Sequence, residues 1–132
     1  MHDCEPQIEH RVRQLLKERF PLYEDAHLVW AVRKCILDTP TLLIGYYSSS
    51  RPFTTGFNLQ IEGDCGCVLT FFIDEPQRKR GHGRRLYEVM RAICRDYGCA
   101  RIRLALSGDG PEFWPAMGFQ PCNEYELEAR LV

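Results

Sequence analysis

The sequence predicts a single α/β (α+β) domain over residues 1–132: a mixed central sheet flanked by helices on both faces, preceded by two leading helices. Three observations lead there. Leu86, Val89, Met90, Ile93, Cys94 and Tyr97 recur at helical spacing, with Arg84, Glu88, Arg91 and Arg95 on the opposite side. The apolar run "VLTFFI" precedes that helix and the alternating "ARIRLALS" follows it. Val68 to Ser107 therefore reads as a β-α-β unit whose two strands run parallel. Finally, 132 residues suffice for one core, and no linker or repeat divides them.

From the amino terminus, "EPQIEHRVRQLLKERF" carries Ile8, Val12, Leu15, Leu16 and Phe20 on one face, and Pro21 ends the helix. Asp25 is the expected N-cap of a second helix, "AHLVWAVRKCIL", whose apolar residues run nearly all round and so require burial. "TLLIGYY" and "FTTGFNLQIE" read as strands separated by the turn "SSSRP", with Gly56 as a candidate bulge. "GDCG" turns the chain into "CVLTFFID", apolar on both faces and therefore central. The helix after it ends at Gly98, a suitable C-cap. "ARIRLALS" sets Ile102, Leu104 and Leu106 against Arg101, Arg103 and Ala105. "GPEFWPAMGF" is a short helix opened by Pro111 and closed by Gly118, and "NEYELEARLV" is a last amphipathic strand.

Composition excludes several classes. At 45% apolar and 27% charged residues the chain is of ordinary globular type, and its apolar runs are too short to span a membrane. The polar, acidic start "MHDCEPQIEH" does not read as a secretory signal, so the expected location is the cytoplasm. Seven cysteines, an odd number at irregular spacing, do not make a disulfide framework. Cys65 and Cys67 read as thiols flanking a turn glycine, and no second CxxC or HxxxH accompanies them, so no metal site is assigned.

Charge is uneven. Pro76 to Arg103 holds nine basic and two acidic residues, whereas the whole chain is at −1. A protein that lies along DNA presents a wider basic surface. One concentrated segment points instead to a compact anion. Within it, "RKRGHGRR" sits where a strand gives way to a helix. The first N–H groups of a helix have no intrahelical acceptor and lie at the positive end of its dipole. Gly81 and Gly83 let a phosphate approach the backbone, and Lys79, Arg80, Arg84 and Arg85 add charge at the rim. Neither GxxxxGK[ST] nor GxGxxG is present.

Arg78, Gly81 and Gly83 instead form RxxGxG. After an apolar strand and at the start of an amphipathic helix, this resembles the acyl-CoA signature of the GNAT superfamily of N-acyltransferases. "FWPAMGF", about thirty residues downstream, is similar to that family's FYxxxGF helix, and "FIDEPQRKRGHG" to its strand, turn and loop. The resemblance covers Thr41 to Val132 well and the first forty residues loosely; the family's usual strand ahead of the first helix has no counterpart. It implies a GNAT-like fold with a V-shaped splay after the central strand, and acetyl-CoA as co-substrate. It also implies a binding set of Phe71, Phe72, Ile73, Arg78, Lys79, Arg80, Gly81, His82, Gly83 and Arg84. The amides of Lys79 through Arg84 would wrap the pyrophosphate. Phe71, Phe72 and Ile73 would end the splayed strand, where the pantetheine arm pairs with backbone and an N–H near Ile73 polarises the thioester carbonyl.

The reaction so implied is acetyl transfer from acetyl-CoA by direct attack of an amine, on a small molecule or a peptide. No catalytic residue is assigned. Trp114 stands where many relatives have a tyrosine acid, Ser107 where many have asparagine, and "CGCVLTFF" offers no carboxylate base. Glu24 and Asp25, in the loop after the first helix, are the candidate acceptor-binding residues. Tyr23, Tyr46 and Tyr47 read as packing beside the sheet, His82 as pointing to solvent or lying near the cofactor's phosphates, and Trp30 and Phe113 as core. Two alternatives stand beside the enzyme reading: a non-catalytic CoA-binding module of this fold, and a nucleic-acid binder using the basic run. The acceptor and the oligomeric state, a dimer included, stay open.

Overall fold

A computed structural model describes residues 4–48, 54–73, 81–105 and 112–131. Helix α1 (Pro6–Arg19) leads into a meander of four strands: β1 (Leu28–Ile36), β2 (Thr39–Ser48), β3 (Thr55–Glu62) and β4 (Cys65–Ile73). Then come α2 (His82–Asp96), β5 (Arg101–Ala105), the one-turn α3 (Phe113–Ala116), β6 (Gln120–Pro121) and β7 (Glu126–Arg130). The sheet runs β1-β2-β3-β4-β5-β7-β6, with β4 at its centre as its doubly apolar sequence predicts. Only the β4–β5 pair is parallel among the described strands, the register of the β-α-β unit being Cys65↔Arg101 through Val68↔Leu104.

Helix α1 opens on Pro6, which fills a first-turn position where no N–H is needed. It buries Ile8, Val12, Leu15 and Leu16 against the sheet and α2, each contributing about 1.5–3 kcal/mol. Helix α2 buries Leu86, Val89, Met90, Ile93 and Cys94 as its spacing predicts, and Tyr87 and Ala92 besides, while Tyr97 is half-buried. Ile44, Tyr46, Phe57, Leu59, Ile102, Leu104, Leu127 and Ala129 supply the other side of the core. A single bridge, Cys4↔Val32, precedes α1.

The second leading helix does not exist. Leu28–Ile36 is strand β1, paired with β2 from Leu28↔Tyr47 to Ile36↔Thr39. Its apolar residues fall on both sides because the segment alternates. Val29 and Ala31 are buried toward the helices, whereas Leu28, Trp30 and Val32 turn to the other face. Valine, tryptophan and isoleucine also favour this pleated setting. The hairpin closes through Leu37 and Asp38, both at positive φ (49° and 65°), as a two-residue primed turn requires.

Helices on both faces were also expected, and the described helices share one. Helix α1 packs on α2, and the rings of α3 meet Phe71 of β4 and Tyr87 of α2, which belong to the same side. The opposite face carries Gln60, Cys65, Cys67, Arg101, Arg103, Glu126 and Glu128, all half-buried. The Arg103–Glu128 ion pair at 2.8 Å shows how such a face tolerates water. Trp30 sits there too, half-buried rather than in the core. The bulge lies not at Gly56 but in β4: Leu59 pairs Val68 and Asn58 pairs Thr70, leaving Leu69 as the extra residue.

Leu37 is 94% exposed and gains nothing from burial, while its left-handed backbone costs about 1 kcal/mol. Replacing the turn with Leu37→Asn and Asp38→Gly is therefore expected to stabilise the protein by about 1 kcal/mol, read from the urea midpoint at unchanged m-value. A loss of stability would show that the turn is held by something other than backbone preference.

Candidate functional site

The site begins at the bulge. Up to Val68 strand β4 is paired on both sides; from Thr70 to Ile73 it stays paired with β3 alone among the described strands. Successive residues direct their backbone groups to opposite sides of a strand. The Phe72 carbonyl faces β3, where it accepts a hydrogen bond from Thr55 Oγ1 at 3.0 Å. The amide and carbonyl of Phe71 accordingly face away from β3, where β4 has no partner among the described residues. Leu69, 58% exposed, marks the point of departure.

Aromatic rings pack against this end of β4 on the helix side. Phe71 stacks on Phe113 with centroids 5.6 Å apart and meets Trp114 edge-on at 5.0 Å. Trp114 in turn packs against Tyr87 and Phe119. Helix α2 opens beside this cluster. Its N-cap, Gly81, is left-handed at φ 81°, a conformation open to glycine and strained for other residues. The first bond closing the helix runs from the Arg85 amide to the Gly81 carbonyl at 3.2 Å, so the Gly83 and Arg84 amides have no intrahelical acceptor. Among the described residues no side chain caps this end, no acidic residue stands in its first turn, and Arg84 and Arg85 are exposed. Gly83 has a further role: a Cβ there would come within 2.9 Å of the Phe113 ring. Its bareness lets the Phe113 ring of α3 pack directly onto the first turn of α2.

A family model described as the acetyltransferase (GNAT) family matches residues 3–119. The chain belongs to the GNAT acetyltransferase family. This family uses acetyl-CoA, and its members are acyl-CoA N-acyltransferases. An acetyltransferase from Bacillus cereus ATCC 14579 is similar in structure over 95% of this chain and 89% of its own, at 18% identity and TM-score 0.60. PaiA N-acetyltransferase from Thermoplasma acidophilum, solved with coenzyme A, is similar over 68% of this chain and 60% of its own (16% identity, TM-score 0.54). N-acetylglutamate synthase from Neisseria gonorrhoeae, solved with coenzyme A and N-acetyl-glutamate, is similar over 96% of this chain and 32% of its own (18% identity, TM-score 0.54). At such identities the likeness is one of fold. No curated protein matches the chain in sequence.

Of the residues expected to bind acetyl-CoA in this GNAT chain, Phe71, Phe72, Ile73, Gly81, His82, Gly83 and Arg84 lie together, at the end of β4 and the start of α2. Arg78, Lys79, Arg80 and Ser107 fall outside the described residues. Phe71 and Phe72 point to opposite faces, the latter meeting Tyr47 at 6.1 Å. His82 does not simply face solvent: its ring is half-buried and edge-on to Phe20 at 6.4 Å. That contact ties the end of α1, and the loop after it, to the mouth of α2.

Glu24 and Asp25 stand in this loop, which joins α1 to a strand rather than to a helix. Both side chains are exposed. Asp25 lies 4.0 Å from Lys17 Nζ, and a Glu24 carboxylate oxygen lies 3.4 Å from His27 Nε2. His27 is buried, its Nδ1 2.7 Å from the Tyr46 hydroxyl and 3.2 Å from the Glu24 amide nitrogen. Arg13 braces the loop from α1, donating to the Tyr23 hydroxyl at 2.9 Å and the His27 carbonyl at 3.0 Å. The sequence reading missed His27, which it placed inside a helix. A lone histidine in an apolar run was the available signal. Tyr46, read as packing, does pack, and also bonds to this imidazole.

Burial holds the His27 pKa below its ordinary 6.5, although the Glu24 carboxylate pulls it back up. Burial also pushes the Tyr46 hydroxyl well above its usual range. Since the unfolded chain protonates this imidazole more readily, its stabilising contribution is complete above pH 6.5 and is lost as pH falls from there through the folded value. The melting temperature is expected to drop between about pH 7 and about pH 5, with His27→Gln flattening that slope. An identical slope in the variant would place the acid sensitivity elsewhere.

Proposed function

We propose that the protein is an N-acetyltransferase that moves an acetyl group from acetyl-CoA to an amine by direct attack. The observation that carries this reading is that, among the described residues, the β4–β5 ladder ends at Val68↔Leu104 while β4 continues to Ile73, beside a start of α2 that no described side chain caps. One edge can take an amide-bearing arm as a further strand would. The helix mouth can take a diphosphate. The two lie side by side, as the two parts of one coenzyme A molecule demand.

Each residue then has a task. The Gly83 and Arg84 amides hold the diphosphate, Gly81 turns the chain so that they face it, and Arg84 adds charge at the rim. The Phe71 backbone receives the pantetheine arm, and the amide near Ile73 polarises the thioester carbonyl as negative charge develops on oxygen. The acceptor is an amine on a small molecule or a peptide. Glu24 and Asp25 lie on the far side of the Phe20–His82 contact and draw its cationic form toward the splay. Attack needs the neutral amine, so a proton must leave the ammonium, and Glu24 beside His27 is a carboxylate–imidazole pair suited to accept it. Trp114 is packed among four aromatic rings, and its indole is no acid, so the thiolate leaves and takes its proton from water.

Calorimetric titration with coenzyme A tests the binding half. A Cβ at Gly81 meets nothing within 4 Å, so substitution there leaves the packing alone and costs only backbone strain of about 1 kcal/mol. Gly81→Ala is expected to weaken binding a few-fold and Gly81→Glu by more than about 100-fold, because only the latter brings negative charge to the amides. Equal affinities for the two variants would put the diphosphate elsewhere. A thiol-release assay over a panel of amines tests the other half: tight coenzyme A binding without turnover on any of them favours the non-catalytic module.

A further inference from the structure

Cys65 and Cys67 are not the flanks of a turn. They are the first and third residues of β4, on the face that the described helices leave uncovered, with their sulfurs 3.9 Å apart. Gly66 between them points the other way, its Cα over the buried Cys94 sulfur. Strand β5 sets Arg101 beside Cys65 and Arg103 beside Cys67, on the same face. Arg103 is engaged by Glu128 at 2.8 Å, and Arg101 lies 3.4 Å from Asp64. Glu62 and Glu126 complete the charges around the pair. No group of three metal-ligating side chains occurs among the described residues.

The two sulfurs are unequal. The Cys65 thiol is held down to about 7, first by the hydrogen bond from Cys67 and then by Arg101, while Cys67 is pushed up by the same bond and by burial. Near neutral pH this gives a half-exposed thiolate with a protonated thiol in reach, the arrangement of an attacking and a resolving cysteine.

We propose that Cys65 and Cys67 form a hydroperoxide-reactive pair that closes to a disulfide within β4, a modification site separate from the acyl-transfer site and independent of that reading. The Cys65 thiolate attacks the hydroperoxide, the O–O bond breaks, an S–OH bond forms, and the departing alkoxide or hydroxide takes a proton from water. The Cys67 sulfur then attacks the Cys65 sulfur. The S–O bond breaks, and the hydroxyl leaves as water with the Cys67 proton. Two thiols are oxidised by two electrons and the hydroperoxide is reduced to an alcohol, or to water when it is hydrogen peroxide itself. Alternate Cα atoms of a strand lie about 6.4–6.8 Å apart, at the long end of the range a disulfide spans. Closure therefore draws on the freedom of the strand's first residue and of Gly66, and the product is readily reduced.

The test treats the full chain at neutral pH with hydrogen peroxide and the sulfenic-acid trap dimedone, followed by peptide mapping. The wild type is expected to lose two hydrogens across residues 65–67, to carry no dimedone at Cys65, and to recover both thiols with glutathione. Cys67→Ser is expected to stop at the sulfenic acid and carry dimedone at Cys65. Arg101→Gln is expected to slow iodoacetamide alkylation of Cys65 about threefold without affecting the exposed Cys122. Serine nearly matches cysteine in size and the positions are half-buried, so unchanged melting curves for the variants are expected. A wild-type chain that accumulates dimedone at Cys65, or a Cys65 no faster to react than Cys122, would overturn the proposal.

Discussion

One extra residue in the central strand organises the molecule. Leu69 has no counterpart in β3, and after it β4 keeps its pairs with β3 but has no further pair with β5 among the described residues. A bulge in a central strand leaves backbone groups without their ladder partners, which folded proteins rarely tolerate without another partner. Here the Phe71 amide and carbonyl face away from β3, at the edge where the proposed pantetheine arm would pair. The four ladder pairs before the bulge hold β4 and β5 together.

The aromatic cluster is the mechanical counterpart of the bulge. Phe71, Phe113, Trp114, Tyr87 and Phe119 join the end of β4, the start of α2 and the one-turn α3 into one packed unit. Gly83 is part of that unit, so the second motif glycine serves packing as well as access. Burial raises the Tyr87 hydroxyl to about 12, which suits a structural ring and not a proton donor. The tryptophan in place of the family's tyrosine is thus explained by what it touches: it fills the wedge between diverging elements.

Much of this was legible in the sequence, and the failures have physical causes. Helix α2 carries a strong helical period and strand β4 a short apolar run, and the glycines between them announce a tight junction before any partner is known. Strand β1 misled because Leu28, Val29, Trp30, Ala31 and Val32 are apolar on both sides of a two-faced sheet, a pattern shared with a buried helix. Its turn, Leu37-Asp38, lacks the glycine that marks most primed hairpins, so the strand had no visible end. Cys65 and Cys67 were hidden by Gly66, taken for a turn residue when it is a strand residue packed over Cys94. The side chain of His82 and the bond between His27 and Tyr46 depend on how α1 meets the sheet, which no local pattern encodes.

The account rests on the backbone edge of β4 and the mouth of α2 being two ends of one binding surface. Residue-resolved amide hydrogen exchange, with and without saturating coenzyme A, tests that most directly. The account predicts that the amides of Phe71, Gly83 and Arg84 slow together by about tenfold or more, while those of β1 and β7 keep their rates. Unchanged exchange at these three amides with coenzyme A bound, or protection at only one of the two ends, would contradict it.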